Sequence, residues 1–151
     1  MLSSTVNHAF LLVVGGAALA QAHFVLQVPP SLGHESASEP KGPCGGFEIS
    51  TRTPVTDFPV GGSPVGFLNT HNTAIFEFKA ALLKDLSTWR YLTLALNLTG
   101  LGSFCEPSIP GVKEWAGQDA VLQVVQLDDH HGNLYQVSEV ALESTGWASE
   151  L

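Results

Sequence analysis

Short alternating runs of apolar and polar residues fill most of this chain, separated densely by turn residues. Phe24–Val28 is β-branched and aromatic and halts at Pro29-Pro30, which predicts a first strand. Gly, Ser, Pro and charged residues then dominate from Ser31 to Gly46, the mark of a long loop ending in Pro43-Cys44-Gly45-Gly46. In Thr73–Phe78, Ala74, Phe76 and Phe78 face one way and Ile75 and Glu77 the other. Tyr91–Leu98 and Ala120–Leu127 predict further strands, the second a nearly continuous apolar run suited to a buried sheet. After the polar turn Asp128–Asn133, Leu134–Leu142 resumes a strand, so these two runs form a hairpin. Ala80–Arg90 alone has helical character, and it is short. Strands broken by Gly/Pro-rich turns predict an all-β sandwich with short helical loop segments.

The first 22 residues stand apart from this pattern. Ala9 to Ala20 is apolar, and Ala20-Gln21-Ala22 is an A-x-A site of small residues, so residues 1–22 are expected to be a secretory signal peptide. The apolar stretch is too short and too Gly-interrupted for a stable membrane anchor. Residues 23–151 then form one domain, and the chain reaches Leu151 without the small-residue site, spacer and apolar tail of a GPI signal.

Charge narrows the partners. Six Lys and Arg against fourteen Asp and Glu give a formal net charge of −8, which argues against nucleic acid or an anionic membrane. Apolar residues make up 44% of the chain and charged ones 13%, enough for a core and unlike a disordered tail. An acidic, soluble, secreted domain is expected.

Passage through an oxidising compartment makes a disulfide between Cys44 and Cys105 the simplest expectation for two cysteines. It would close a loop of about sixty residues, worth roughly 4 kcal/mol in the chain-entropy picture. The same route gives meaning to Asn97-Leu98-Thr99, an N-glycosylation sequon that makes Asn97 an acceptor.

Cleavage after Ala22 would make His23 the first residue. An N-terminal histidine offers its α-amine and its ring Nδ1 to one metal ion, closing a chelate ring. The α-amine has a pKa of roughly 7.7–8.0, so a metal displaces its proton near neutrality. One further imidazole completes a planar three-nitrogen set that suits Cu(II). His71, in Asn69-Thr70-His71-Asn72 just before a strand, is the best second imidazole, although alone it reads as an ordinary loop residue. His130 and His131 sit in a polar turn that could bind a metal loosely but reads first as solvated, and His34, in the Ser/Gly/Glu loop, reads as a surface residue. A phosphate-binding glycine loop and a G-x-S-x-G nucleophile motif are both absent.

The run His23-Phe24-Val25-Leu26-Gln27-Val28-Pro29-Pro30-Ser31-Leu32-Gly33 resembles the mature N-terminus of the fungal copper proteins known as X325 or BIM1-like copper acquisition factors. Pro43-Cys44-Gly45-Gly46-Phe47, the segment around His71, Gly102-Ser103-Phe104-Cys105 and Gly132-Asn133-Leu134-Tyr135-Gln136 are similar too. The resemblance spans most of residues 23–151. It implies an immunoglobulin-like β-sandwich related to lytic polysaccharide monooxygenases, holding one Cu(II) per chain in a histidine brace with an acidic third ligand. His23 would supply amine and ring nitrogen, and His71 the second imidazole. The family's carboxylate falls in a Cys-Ala-Asp stretch that here reads Val137-Ser138-Glu139, which makes Glu139 the expected third ligand and Asp128 and Asp129 the fallbacks. Members commonly carry four cysteines. With Val137 in place of one and a later one missing, the pairing of Cys44 with Cys105 stays open, as in a truncated or divergent copy.

Three functions fit. The first is a non-catalytic copper-binding protein of the extracellular space, cell wall or outer plasma-membrane surface, passing copper to a plasma-membrane transporter. The second is a copper-dependent polysaccharide monooxygenase, which needs an open coordination position and an aromatic platform for sugars; Trp89, Trp115 and Trp147 are scattered along the chain. The third is a wall domain that has lost its metal.

Overall fold

A computed structural model of the protein describes residues 23–49, 54–128 and 132–144. Its strands are β1 (Phe24–Val28), β2 (Val55–Pro59), β3 (Ser63–Asn69), β4 (Thr73–Leu82), β5 (Asp85–Tyr91), β6 (Leu96–Thr99), β7 (Gly102–Ile109), β8 (Asp119–Leu127) and β9 (Leu134–Glu143). They form two sheets, as the alternation predicts: a three-stranded one in the order β1-β3-β7, and a six-stranded one in the order β2-β9-β8-β4-β5 with β6 also on β4. One turn of 3-10 helix at Lys113–Trp115 is the helical element among the described residues.

The inward positions of both sheets build one core. Phe24 of β1, Phe67 of β3 and Phe76 and Phe78 of β4 are buried together with Leu122 and Val124 of β8 and Val140 and Leu142 of β9. The ring of Phe24 meets Phe76 edge-on at 5.3 Å between centroids, so the residue that follows His23 is anchored in the centre of the sandwich. β8 is buried on both faces because a second cover lies outside it: Cys44, Val121 and Val137 form a smaller cluster against Leu32, Ile49 and Trp89. β5 supplies Trp89 of that cover, and the long loop between β1 and β2 supplies Leu32, Cys44 and Ile49. Gly45 in this loop has φ of +64°, and a Cβ there would run into the carbonyl oxygen of Tyr135, which the glycine avoids.

The predicted hairpin of Ala120–Leu127 with Leu134–Leu142 is present, in a register that sets Val121 opposite Glu139 and Val124 opposite Gln136. The expected helix over Ala80–Arg90 is instead the end of β4, a turn at Leu83-Lys84, and β5. Pairing of Ala80 with Leu122 and Ala81 with Val121 holds these helix formers in the sheet, both fully or nearly buried, and tertiary contact outweighs local propensity. The Asp85 carboxylate fastens the start of β5 by accepting from the Ser87 amide at 3.1 Å and hydroxyl at 2.5 Å. The single strand expected over Tyr91–Leu98 is divided between the end of β5 and β6.

Candidate metal centre

β1 is an edge strand, paired antiparallel with β3 so that Phe24 faces Asn69 and Val25 faces Leu68. That register carries His23 alongside Thr70. The main-chain nitrogen of His23 donates to Thr70 Oγ1 at 2.9 Å, and the same hydroxyl donates to the His23 carbonyl. His71 is the next residue, in the tight connection from β3 to β4. The buried Asn69 side chain shapes this connection, accepting from the His71 amide at 3.0 Å and donating to the His71 carbonyl at 2.8 Å and the Gly100 carbonyl at 2.9 Å. The two histidines singled out from the sequence thus stand at one end of one sheet, through a His23–Thr70 contact that joins residues 47 positions apart.

The free edge of β1 is closed by a side chain. The buried amide of Gln136 on β9 accepts from the Leu26 N–H at 2.8 Å and donates to the Phe24 carbonyl at 2.5 Å, serving two groups that a neighbouring strand would otherwise take. Gln136 also donates to Glu39 Oε1 and lies 3.1 Å from His34 Nδ1. Glu39 itself is 1% exposed. Its Oε1 meets His34 Nδ1 at 2.9 Å, and its Oε2 faces His23 Nε2 at 3.7 Å. Sequence reasoning singles out neither Glu39 nor Gln136 and places His34 on the surface. The signal missed was a carboxylate inside a Ser/Gly/Pro loop that folds back over β9, where Tyr135 N–H donates to the Glu39 carbonyl at 2.9 Å.

Glu139 occupies a different part of the molecule. It is 1% exposed on β9, three residues beyond Gln136 and, by strand alternation, on the opposite face, with Val137 and its cross-strand partner Val121. Through Val121 it shares a rung with Ala81, near the far end of β4 from His71. Asp128 directly follows the Ile75–Leu127 pair, so it stands level with the beginning of β4, just after the His71 turn. The rungs of Asp128 and Glu139 are about 23 Å apart along the sheet at roughly 3.3 Å per residue. Asp129, His130 and His131 lie outside the described residues. Among the described residues no three His, Cys, Asp or Glu side chains form a metal cluster. In a histidine brace one donor of three is a main-chain nitrogen.

Cys44 and Cys105 are both free thiols. Cys44 lies outside the six-stranded sheet against Val121 and Val137, whereas Cys105 is exposed on β7 and alternates with the inward Phe104. Two outer faces of a sandwich are separated by more than the roughly 10 Å between its sheets, beyond the 4.4–6.8 Å Cα separation a disulfide spans. Asn97 is exposed on β6, between Leu96 and Leu98, which pack toward the core.

The family model described as copper acquisition factor BIM1-like matches residues 21–150. An uncharacterised protein of Aspergillus fumigatus is 32% identical over 137 residues, covering 85% of this chain and 57% of the relative. A protein of Yarrowia lipolytica named lytic polysaccharide monooxygenase-like protein X325 is 30% identical over 141 residues, covering 85% of this chain and 52% of its own length. The chain spans about half the length of these curated relatives.

Proposed function

Because this chain belongs to the family of BIM1-like copper acquisition factors, we propose that it captures one Cu(II) through a brace of His23 and His71. The observation that supports this reading most is the β1–β3 register, which brings the His23 main-chain nitrogen to Thr70, next to His71. Cleavage after Ala22 would turn that nitrogen into the α-amine, and amine and ring Nδ1 would then chelate the ion with the His71 imidazole completing a three-nitrogen plane. Asp128 is the carboxylate whose place in the fold favours it as the acidic ligand. Glu139, expected in that role from the sequence, is disfavoured by its position on the far face of β9. The protein would act outside the cell or at its surface, with copper as cargo handed to a membrane transporter.

The test is a Cu(II) titration of protein whose N-terminus is confirmed as His23, followed by EPR. One-to-one binding with nitrogen hyperfine structure is expected, lost in His23→Ala and His71→Ala and in a variant extended by one residue before His23. Asp128→Asn should alter the spectrum and Glu139→Gln should not. Weak binding indifferent to both histidine substitutions would overturn the proposal. Oxidised oligosaccharides released in the presence of a reductant would move the protein to the oxidative reading that the name of the Yarrowia lipolytica relative suggests.

A further inference from the structure

Glu39 is a buried acid whose two oxygens have unequal surroundings. Oε1 accepts from Gln136 Nε2 and meets His34 Nδ1 at 2.9 Å. Oε2 is buried with no hydrogen-bond partner among the described residues and points at His23 Nε2, 3.7 Å away. That gap is too long for a hydrogen bond, and an acceptor left unsatisfied in a protein interior costs about 1–3 kcal/mol. A small turn of the His23 ring would close it, while the main chain of His23 stays tied to Thr70.

We propose that Glu39 is a positioning residue for His23: it accepts the Nε2–H of the ring and so leaves Nδ1 unprotonated and turned toward the metal. The inference rests on the brace reading above and names how its first ligand is prepared. In a neutral imidazole one nitrogen carries the proton and the other the lone pair, and the partner of one nitrogen decides the tautomer. Only Nδ1 closes a chelate ring with the amine of the same residue, so a brace histidine must carry its proton on Nε2. A buried carboxylate facing Nε2 selects that form and fixes the ring plane, as carboxylates behind metal-bound histidines do elsewhere. The two ring nitrogens diverge, so the carboxylate behind Nε2 is not itself a ligand of an ion on Nδ1. Gln136 and His34 hold Oε1 and thereby aim Oε2; Gln136 also fixes β1 through Phe24 and Leu26, coupling the carboxylate and the strand that carries His23.

Nitrogen-15 NMR of the metal-free protein with N-terminal His23, slightly alkaline of neutral, reads the tautomer directly. Wild type should show His23 protonated on Nε2, Glu39→Ala a mixture of tautomers, and Glu39→Gln, which keeps an acceptor oxygen, a predominantly wild-type pattern. Cu(II) affinity should fall about 10–100-fold in Glu39→Ala and less in Glu39→Gln. Thermal melting of each variant separates folding from positioning, and Glu39→Gln, close in size, serves if Glu39→Ala does not fold. An unchanged His23 tautomer and unchanged affinity in a folded Glu39→Ala protein would overturn the proposal and leave Glu39 a clamp for its loop. Because the tautomer is read without metal, a wild type that fails to bind copper overturns the brace while Glu39 is still judged on its own.

Discussion

Asn69 holds His71 by both of its backbone polar groups, accepting from the amide at 3.0 Å and donating to the carbonyl at 2.8 Å. Asn69 is the last residue of β3 and faces Phe24 across the sheet, so one side chain sets the histidine turn relative to the strand that bears His23. Asn69→Ala removes three hydrogen bonds from a residue 1% exposed and leaves the Gly100 carbonyl without this donor. A loss of about 2–4 kcal/mol in urea unfolding is expected. Cu(II) binding should weaken in the fraction that stays folded, since His71 is no longer held.

Gln136 is predicted to be the most costly polar substitution in the sandwich. Gln136→Leu keeps the volume but strands the Phe24 carbonyl and the Leu26 N–H at an edge that has no neighbouring strand among the described residues. A destabilisation of about 3 kcal/mol or more is expected by chemical denaturation. Gln123→Leu is the contrast: among the described residues its amide makes one bond, to the Pro43 carbonyl at 2.7 Å, and about 1–2 kcal/mol should be lost. Equal effects would show that the amide of Gln136 does not close the edge.

Lys79 gives a test in the alkaline range. Burial disfavours its charge, but the Glu77 carboxylate at 2.7 Å and the Tyr91 side chain outweigh that and raise its pKa above the ordinary 10.5. A raised folded pKa means that the contribution is present below the unfolded value and is lost as pH rises through the folded one. Removing the charge with Lys79→Met should therefore change stability by less than about 1 kcal/mol at neutral pH, as partly solvated pairs usually do. The difference between variant and wild type should narrow above pH 10.5, measured by urea midpoints.

The sequence was most legible where one face of a strand is buried and the other not, or where a strand is buried throughout. β1, β4, β8 and β9 all follow from alternation or from continuous apolar runs. β2, β3 and β7 were missed because each carries a proline, at Pro59, Pro64 and Pro107. Pro59 and Pro107 sit in edge strands, and Pro64 sits at the register break between Ser63 and Val65, places where a sheet tolerates a missing donor. His23 and His71 could be paired on paper through chemistry and resemblance. Glu39 could not, since its contact with His23 depends on how a long loop folds over β9, and no periodicity encodes that path.

Cys44 and Cys105 yield a prediction that also decides the state of both thiols. Cys105 is exposed, whereas Cys44 is buried against Val121 and Val137, and that burial pushes its pKa above the ordinary 9.0. Ellman's reagent at neutral pH should label one thiol per native chain, at Cys105, and the second only after unfolding in urea. Cys44 also sets a sign for pH. A thiol whose folded pKa is raised contributes fully below its unfolded value, and the contribution is lost as pH rises through the folded one. Wild type should therefore lose more stability than Cys44→Ala between neutrality and pH values above 9.0, even though the variant, with its cavity, starts lower. Parallel curves for the two proteins would show that Cys44 does not titrate with unfolding. No labelling in native or unfolded protein would show that the two cysteines have been bridged, which requires the loop bearing Cys44 to leave the face of β8 and β9.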